Sequence, residues 1–190
     1  MLRVPQKMAW MKNFADVESL KKKLVIYPTD TVYGIGCNAE NEMLLERVFA
    51  AKGRERKKPL SVIAPDKDWI IKHCIVSREI VDKYLPGKYT LLLKKKDPKF
   101  LALATSGSGI IGVRIPSHRI AKLVECARIP FITTSANLSG EKSPKSLSEV
   151  PKELKDAADL IIDGGELPGV PSTIVDCTKE EEVIVERDRI

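Results

Sequence analysis

Short apolar runs constrain this chain more than anything else in it. They are Leu24 to Tyr27, Leu60 to Ala64, Tyr89 to Leu93, Ile110 to Ile115, Pro130 to Thr134, Leu160 to Ile162, Thr173 to Cys177 and Glu182 to Glu186. Several are rich in β-branched residues and bounded by Gly or Pro, so they read as strands. Helical patterns lie between them. Glu42 to Lys52 sets Leu44, Leu45, Val48 and Phe49 on one face and meets Gly53 as a stop. Ser77 to Leu85 has Ser77 as an N-cap and ends at Pro86-Gly87. Ser117 to Ala127 carries Ile120, Ala121, Leu123 and Val124, and Ser148 to Ala157 is a further candidate. Strands alternating with helices predict an α/β domain. The final strands have no helix between them, so part of the sheet is expected to be antiparallel.

At 190 residues the chain holds one domain with a real core, taken as 1–190 with its core at about 20–187. Apolar residues at 43% and charged residues at 31% exclude a disordered chain. No window nears the roughly 20 apolar residues of a membrane span, and Met1 to Trp10 lacks the apolar stretch of a secretory signal. Lys and Arg number 32 against 26 Asp and Glu, a net charge of +6. That excess suits an anionic partner, or plain solubility. Cys37, Cys74, Cys126 and Cys177 form no close pair, which argues against structural zinc, and they share no ligand spacing with His73 or His118. No metal-binding residue is assigned. Cys126 and Cys177 adjoin apolar runs and are expected in the core. Unpaired thiols suit a reducing compartment, so the expected location is the cytoplasm.

Five segments are too polar to be mere connections. Tyr27-Pro28-Thr29-Asp30-Thr31-Val32-Tyr33-Gly34 follows a strand and crowds hydroxyls, a carboxylate and a phenol into a turn. Such a turn can hold a small polar substrate, or its side chains can simply satisfy backbone groups. Lys52-Gly53-Arg54-Glu55-Arg56-Lys57-Lys58 concentrates cations that grip an anion or stay solvated. Arg114, in Gly112 to Pro116, interrupts an apolar strand, so it faces a cleft or sits in an ion pair. Thr133 to Gly140 ends a strand in small donors, as a phosphate or ribose loop does, or as an N-cap run does. Gly169 to Asp176 presents Ser172 ahead of a strand. No Walker A loop, dinucleotide-binding glycine fingerprint or nucleophile elbow is present.

Taken in order, P-T-D-T-x-Y-G, K-x-R, V-R-I-P, T-S-A-N-x-S-G and S-T-I-V-D resemble the YrdC/Sua5 family of threonylcarbamoyl-AMP synthases, from about Leu20 to Arg187. The resemblance implies a twisted, mixed and mostly parallel YrdC-like (RibB-like) sheet flanked by helices, with a positively charged cavity. It implies a nucleotidyltransferase that makes threonylcarbamoyl-adenylate and pyrophosphate from L-threonine, bicarbonate and ATP, with Mg²⁺ bridging phosphates. The product serves modification of adenosine 37 in tRNA. Downstream transfer proteins are implied, with tRNA itself a candidate direct partner.

By motif position, Lys52 and Arg54 carry over as catalytic and ATP-binding. Thr29, Thr31, Tyr33, Arg114 and Thr133 carry over as threonine-binding, and Lys58, Ser135, Asn137, Ser139, Ser172 and Arg187 as ATP-binding. Two departures stand. Pro86-Gly87-Lys88-Tyr89-Thr90 replaces the family's P-G-P before a threonine, and Glu186-Arg187-Asp188-Arg189 lacks the usual glycine, leaving Arg187 and Arg189 as rivals. The chain resembles the short, single-domain form. A non-catalytic RNA-binding module and a carbamoyl-adenylate domain, as in hydrogenase maturation, are the competing readings.

Overall fold

Strand and helix alternate in the computed structural model, which describes residues 2–4 and 14–185. In chain order the elements are β1 (Leu2–Val4), α1 (Phe14–Lys22), β2 (Val25–Tyr27), β3 (Gly34–Gly36), α2 (Glu42–Lys52), β4 (Ser61–Ile63), α3 (Lys67–His73), β5 (Cys74–Ile75), α4 (Arg78–Tyr84) and β6 (Tyr89–Lys95). Then come β7 (Ile110–Arg114), α5 (Arg119–Ala127), β8 (Phe131–Ser135), a 3-10 turn (Leu147–Glu149), α6 (Lys152–Ala157), β9 (Leu160–Ile162), β10 (Thr173–Asp176) and β11 (Val183–Val185). Local chemistry sets the helix ends. The Asn41 side chain accepts the Leu44 N–H at the start of α2, and Gly53 closes that helix at φ 55°, a left-handed conformation that favours glycine. Ser77 caps α4 as expected, accepting the Ile80 N–H.

One sheet runs through all these strands in the order β1-β9-β2-β3-β8-β4-β7-β6-β10-β11, with β5 beside β6. It is mixed, as expected, but not mostly parallel: six of the ten described strand pairs are antiparallel. Consecutive strands joined without a crossover helix must return antiparallel, as β2–β3, β6–β7 and β10–β11 do. The sequence expectation missed β1, β3, β5, α1 and α3. The two-residue β5 is too short for a pattern, and Gly34-Ile35-Gly36 lacks the β-branched runs that mark a strand.

The sheet has two unlike faces. Leu91, Leu93, Ile111, Val113 and Ile132 are at most 1% exposed and join the larger core with α2. The opposite face places Val25, Tyr27, Ile63, Phe131 and Ile162 under Leu20 of α1 and Ile120, Leu123 and Val124 of α5. Among the described residues, that face of β6, β7 and β10 takes no part in the helix-covered cluster. Cys126 corrects an expectation. It is exposed because it lies off the Ile120–Leu123–Val124–Ala127 stripe that α5 buries, and Cys177 is half-buried.

Candidate active site

The uncovered half of the sheet is a cleft of about 500 Å³. Its floor follows from the two-residue period of strands: Thr90 and Leu92, then Ile110, Gly112 and Arg114, then Thr133 and Ser135 point into it, as do Ser172 and Ile174. Of their alternates, Leu91, Leu93, Ile111, Val113, Ile132 and Val175 are core residues. Gly112 packs closely, because a Cβ there would lie 2.5 Å from Ser61 Oγ and 3.2 Å from Ser61 Cβ, so Ser61 would have to shift. Among the described residues, the charged side chains in the lining are Arg54 and Arg114, and no acidic one is part of it. This agrees with the positive cavity expected from the motifs.

Arg114 ends β7 and is 6% exposed. Its Nη2 donates to Asp30 Oδ1 at 2.6 Å and its Nη1 lies 3.4 Å from Thr31 Oγ1. Both sequence alternatives therefore hold together: the residue faces the cleft and is ion-paired. Burial lowers its pKa, and Asp30 opposes that shift. Arg114 Nε is buried with no hydrogen-bond partner among the described residues. In the adjoining turn, Thr29 Oγ1 accepts the N–H groups of Thr31 and Val32 and donates to Val32 O at 2.7 Å. Thr29 thus braces the turn while lining the cleft.

Lys52 is the last residue of α2 and only 2% exposed. Its Nζ donates to Ser135 O at 2.5 Å and Asn137 O at 2.6 Å, so it lies under the loop after β8 rather than on the cleft surface. Burial, then the nearby Arg54 charge, lowers its pKa to about 7, whereas donation to two carbonyls favours its ammonium form. Arg54 does line the cleft. Its Nε and Nη2 hold Lys58 O and Pro59 O at 3.2 and 2.9 Å, and burial lowers its pKa.

The structure thus gathers Thr29, Thr31, Arg54, Arg114, Thr133, Ser135 and Ser172 around one hollow. It sets other predicted residues behind or outside the lining. The Tyr33 hydroxyl accepts the Gly164 N–H and donates to Gly165 O, both at 2.8 Å, and burial pushes it up to about 12. Asn137 Nδ2 ties Leu138 O and Glu141 O, while its buried Oδ1 has no partner among the described residues. Ser139 donates its N–H to Lys52 O. Lys58 is exposed, and Arg187 lies outside the described residues. Sequence reading overlooked Ser61, Thr90, Leu92, Ile110 and Ile174 as lining, because Leu92, Ile110 and Ile174 are apolar like the core residues beside them. Thr90 Oγ1 is 2.8 Å from Ser172 Oγ. Among the described residues no group of three or more His, Cys, Asp or Glu is placed to hold a metal ion, and no helix is long and apolar enough to cross a membrane.

A family model for Sua5/YciO/YrdC domains, described as "Telomere recombination", matches residues 19–188. The chain belongs to the Sua5/YciO/YrdC family. A Methanocaldococcus jannaschii member named "Putative threonylcarbamoyl-AMP synthase" is 41% identical over 169 residues, covering 86% of this chain and 78% of that protein. A Pyrococcus abyssi threonylcarbamoyl-AMP synthase is 37% identical, and this chain spans 49% of its length. The crystal structure of P. abyssi Sua5 complexed with L-threonine superposes with a TM-score of 0.80 at 33% identity, over 96% of this chain and 54% of that one. Full-length HypF in a phosphate- and nucleotide-bound form gives a TM-score of 0.76 at 26% identity, over 92% of this chain and 28% of that one. The motifs that identify this Sua5/YciO/YrdC member converge on the cleft from β3, β4, β7, β8 and β10, far apart in sequence.

Proposed function

We propose that this chain is a threonylcarbamoyl-AMP synthase, converting L-threonine, bicarbonate and ATP into threonylcarbamoyl-adenylate and pyrophosphate. One observation carries the reading: a single hollow contains the Thr29–Thr31 turn, Arg114, Thr133, Arg54 and the Ser135 and Ser172 hydroxyls, with no lining carboxylate. The threonine complex of P. abyssi Sua5 and the nucleotide-bound HypF support it from outside.

The charge layout suits the two substrates. Arg114 is balanced by Asp30, so its end of the cleft suits a zwitterion such as threonine, held with Thr29, Thr31 and Thr133. Lys52 and Arg54 make no ion pair among the described residues, so they can offset a triphosphate. Ser135 and Ser172 face the nucleotide from the lining, and Asn137, Ser139 and Tyr33 brace the loops behind. The threonine amine and bicarbonate form an N-carboxylate with loss of water. That carboxylate attacks the α-phosphorus of ATP, a P–O bond forms, and the bond to pyrophosphate breaks. The substrate supplies the nucleophile, so this chain's residues position two anions and neutralise their repulsion. ATP enters as its Mg²⁺ complex. The described lining offers hydroxyls and cations rather than carboxylates, so the Mg²⁺ would arrive with the nucleotide and would supply charge neutralisation at its phosphates. The product, made in the cytoplasm, supplies adenosine 37 of tRNAs through separate transfer proteins.

Mass spectrometry of the nucleotide product tests this. A threonylcarbamoyl-AMP mass that requires both threonine and bicarbonate is expected. An adduct formed without threonine points to carbamoyl-adenylate chemistry, and no adduct at all leaves a binding module.

A further inference from the structure

Asp30 is not among the residues that the motifs assign to substrate, yet it occupies a position of unusual leverage. Its two oxygens link separate parts of the cleft wall. Oδ1 accepts from Arg114 Nη2 at 2.6 Å, and Oδ2 accepts the Ser117 backbone N–H at 2.8 Å, just ahead of α5. The paired side chains are 7% and 6% exposed. Asp30 itself sits between Thr29 and Thr31, both of which line the cleft, so one carboxylate joins the turn, the end of β7 and the start of α5.

A purely structural ion pair leaves few buried donors unused, because an unpaired buried N–H costs about 1–3 kcal/mol. Here the Arg114 guanidinium lines the cleft and keeps its buried Nε without a partner among the described residues. Arginine's planar fork presents its donors in fixed directions, so anchoring one nitrogen aims the others. We infer that Asp30 is a positioning residue: by anchoring Arg114 Nη2 it fixes the orientation in which the guanidinium lines the cleft and meets the carboxylate of the amino-acid substrate. This rests on the proposed synthase reading and deepens it. Asp30 also cancels the charge of Arg114, so this end of the cleft discriminates against phosphate and in favour of a net-neutral amino acid.

Titration calorimetry with L-threonine and, separately, with MgATP tests it on wild type, Asp30→Asn and Asp30→Glu. Asp30→Asn keeps the shape and loses the charge. It is expected to weaken threonine binding at least about tenfold, in line with loss of a charge-assisted contact, while the MgATP Kd moves less than about twofold. In turnover the same variant raises the threonine KM with kcat nearly unchanged. If Asp30→Asn does not fold, Asp30→Glu keeps the charge on a longer arm, and the same selective loss is expected from it. Threonine affinity at the wild-type level in a folded variant overturns the inference, as does equal weakening of both ligands with a lowered Tm, which marks a merely structural role. Wild-type protein that binds threonine but forms no adduct refutes the synthase reading while leaving the positioning role standing. Wild-type protein that does not bind threonine overturns both.

Discussion

Arg114 and Lys52 are both buried cations beside one cleft, 6% and 2% exposed, but they are held in opposite ways. Arg114 meets a carboxylate of matching burial, whereas Lys52 meets two backbone carbonyls and, among the described residues, no counter-charge. A buried charge needs compensation. The fold supplies a counter-charge at the Arg114 end, and backbone carbonyls alone at the Lys52 end. The consequence is an asymmetric hollow, nearly neutral where the Thr29–Thr31 turn lies and positive where Arg54 and the loop after β8 lie. Under the proposed synthase reading, that asymmetry separates an amino acid from a polyphosphate.

The largest consequence belongs to the compensated pair. Arg114→Ala strands the Asp30 carboxylate in a buried site, and breaking such a pair typically costs about 3–5 kcal/mol. Urea unfolding of the variant is expected to show a loss of that order, and a change below about 1 kcal/mol would mean the pair is not sequestered as described. At the other end, the effect is expected on turnover. Lys52→Ala or Arg54→Ala should lower pyrophosphate release from ATP, threonine and bicarbonate by about 10²-fold. Undiminished release by both variants would contradict the electrostatic role given to this end.

A smaller effect separates the two cations by pH. Lys52 has its pKa lowered from 10.5 to about 7 by burial and Arg54. Between those values the unfolded chain holds more protons than the folded one, so stability rises with pH across the window. Below about pH 7 the penalty of the buried ammonium is fully present. Wild type is therefore expected to gain stability from pH 7 to 9 relative to Lys52→Met, measured by urea unfolding at both values. Equal slopes would show that the carbonyls alone satisfy the charge. The smallest effect is expected at Lys58. Its side chain is exposed, and it is the backbone carbonyl that Arg54 grips. Lys58→Ala keeps that carbonyl, so turnover should stay within about threefold of wild type, as for other solvated charges. A tenfold loss would place Lys58 at the phosphates.

Much of this architecture was legible in the chain. Leu160 to Ile162 became β9 at those bounds, and Ser77 and Gly53 act as the cap and the stop that the sequence marked. These signals are local, resting on periodicity, capping and turn chemistry within a few residues. The five motifs likewise marked segments that line the hollow or brace it from behind. Strand direction was not legible, because parallel and antiparallel pairing depend on which strands meet rather than on any one strand's composition. Nor was the difference between lining and bracing. Lys52 and Arg54 are two positions apart, yet one points under the loop after β8 and the other into the hollow.

Sequence alone settled what kinds of groups this protein brings to its chemistry: cations, small hydroxyls and one turn carboxylate on an alternating α/β scaffold. The tertiary structure decided which of those charges are cancelled. Cancellation depends on pairs such as Asp30 and Arg114, brought within 2.6 Å from distant parts of the chain, and electrostatic energy depends on separation and burial rather than on order along a sequence.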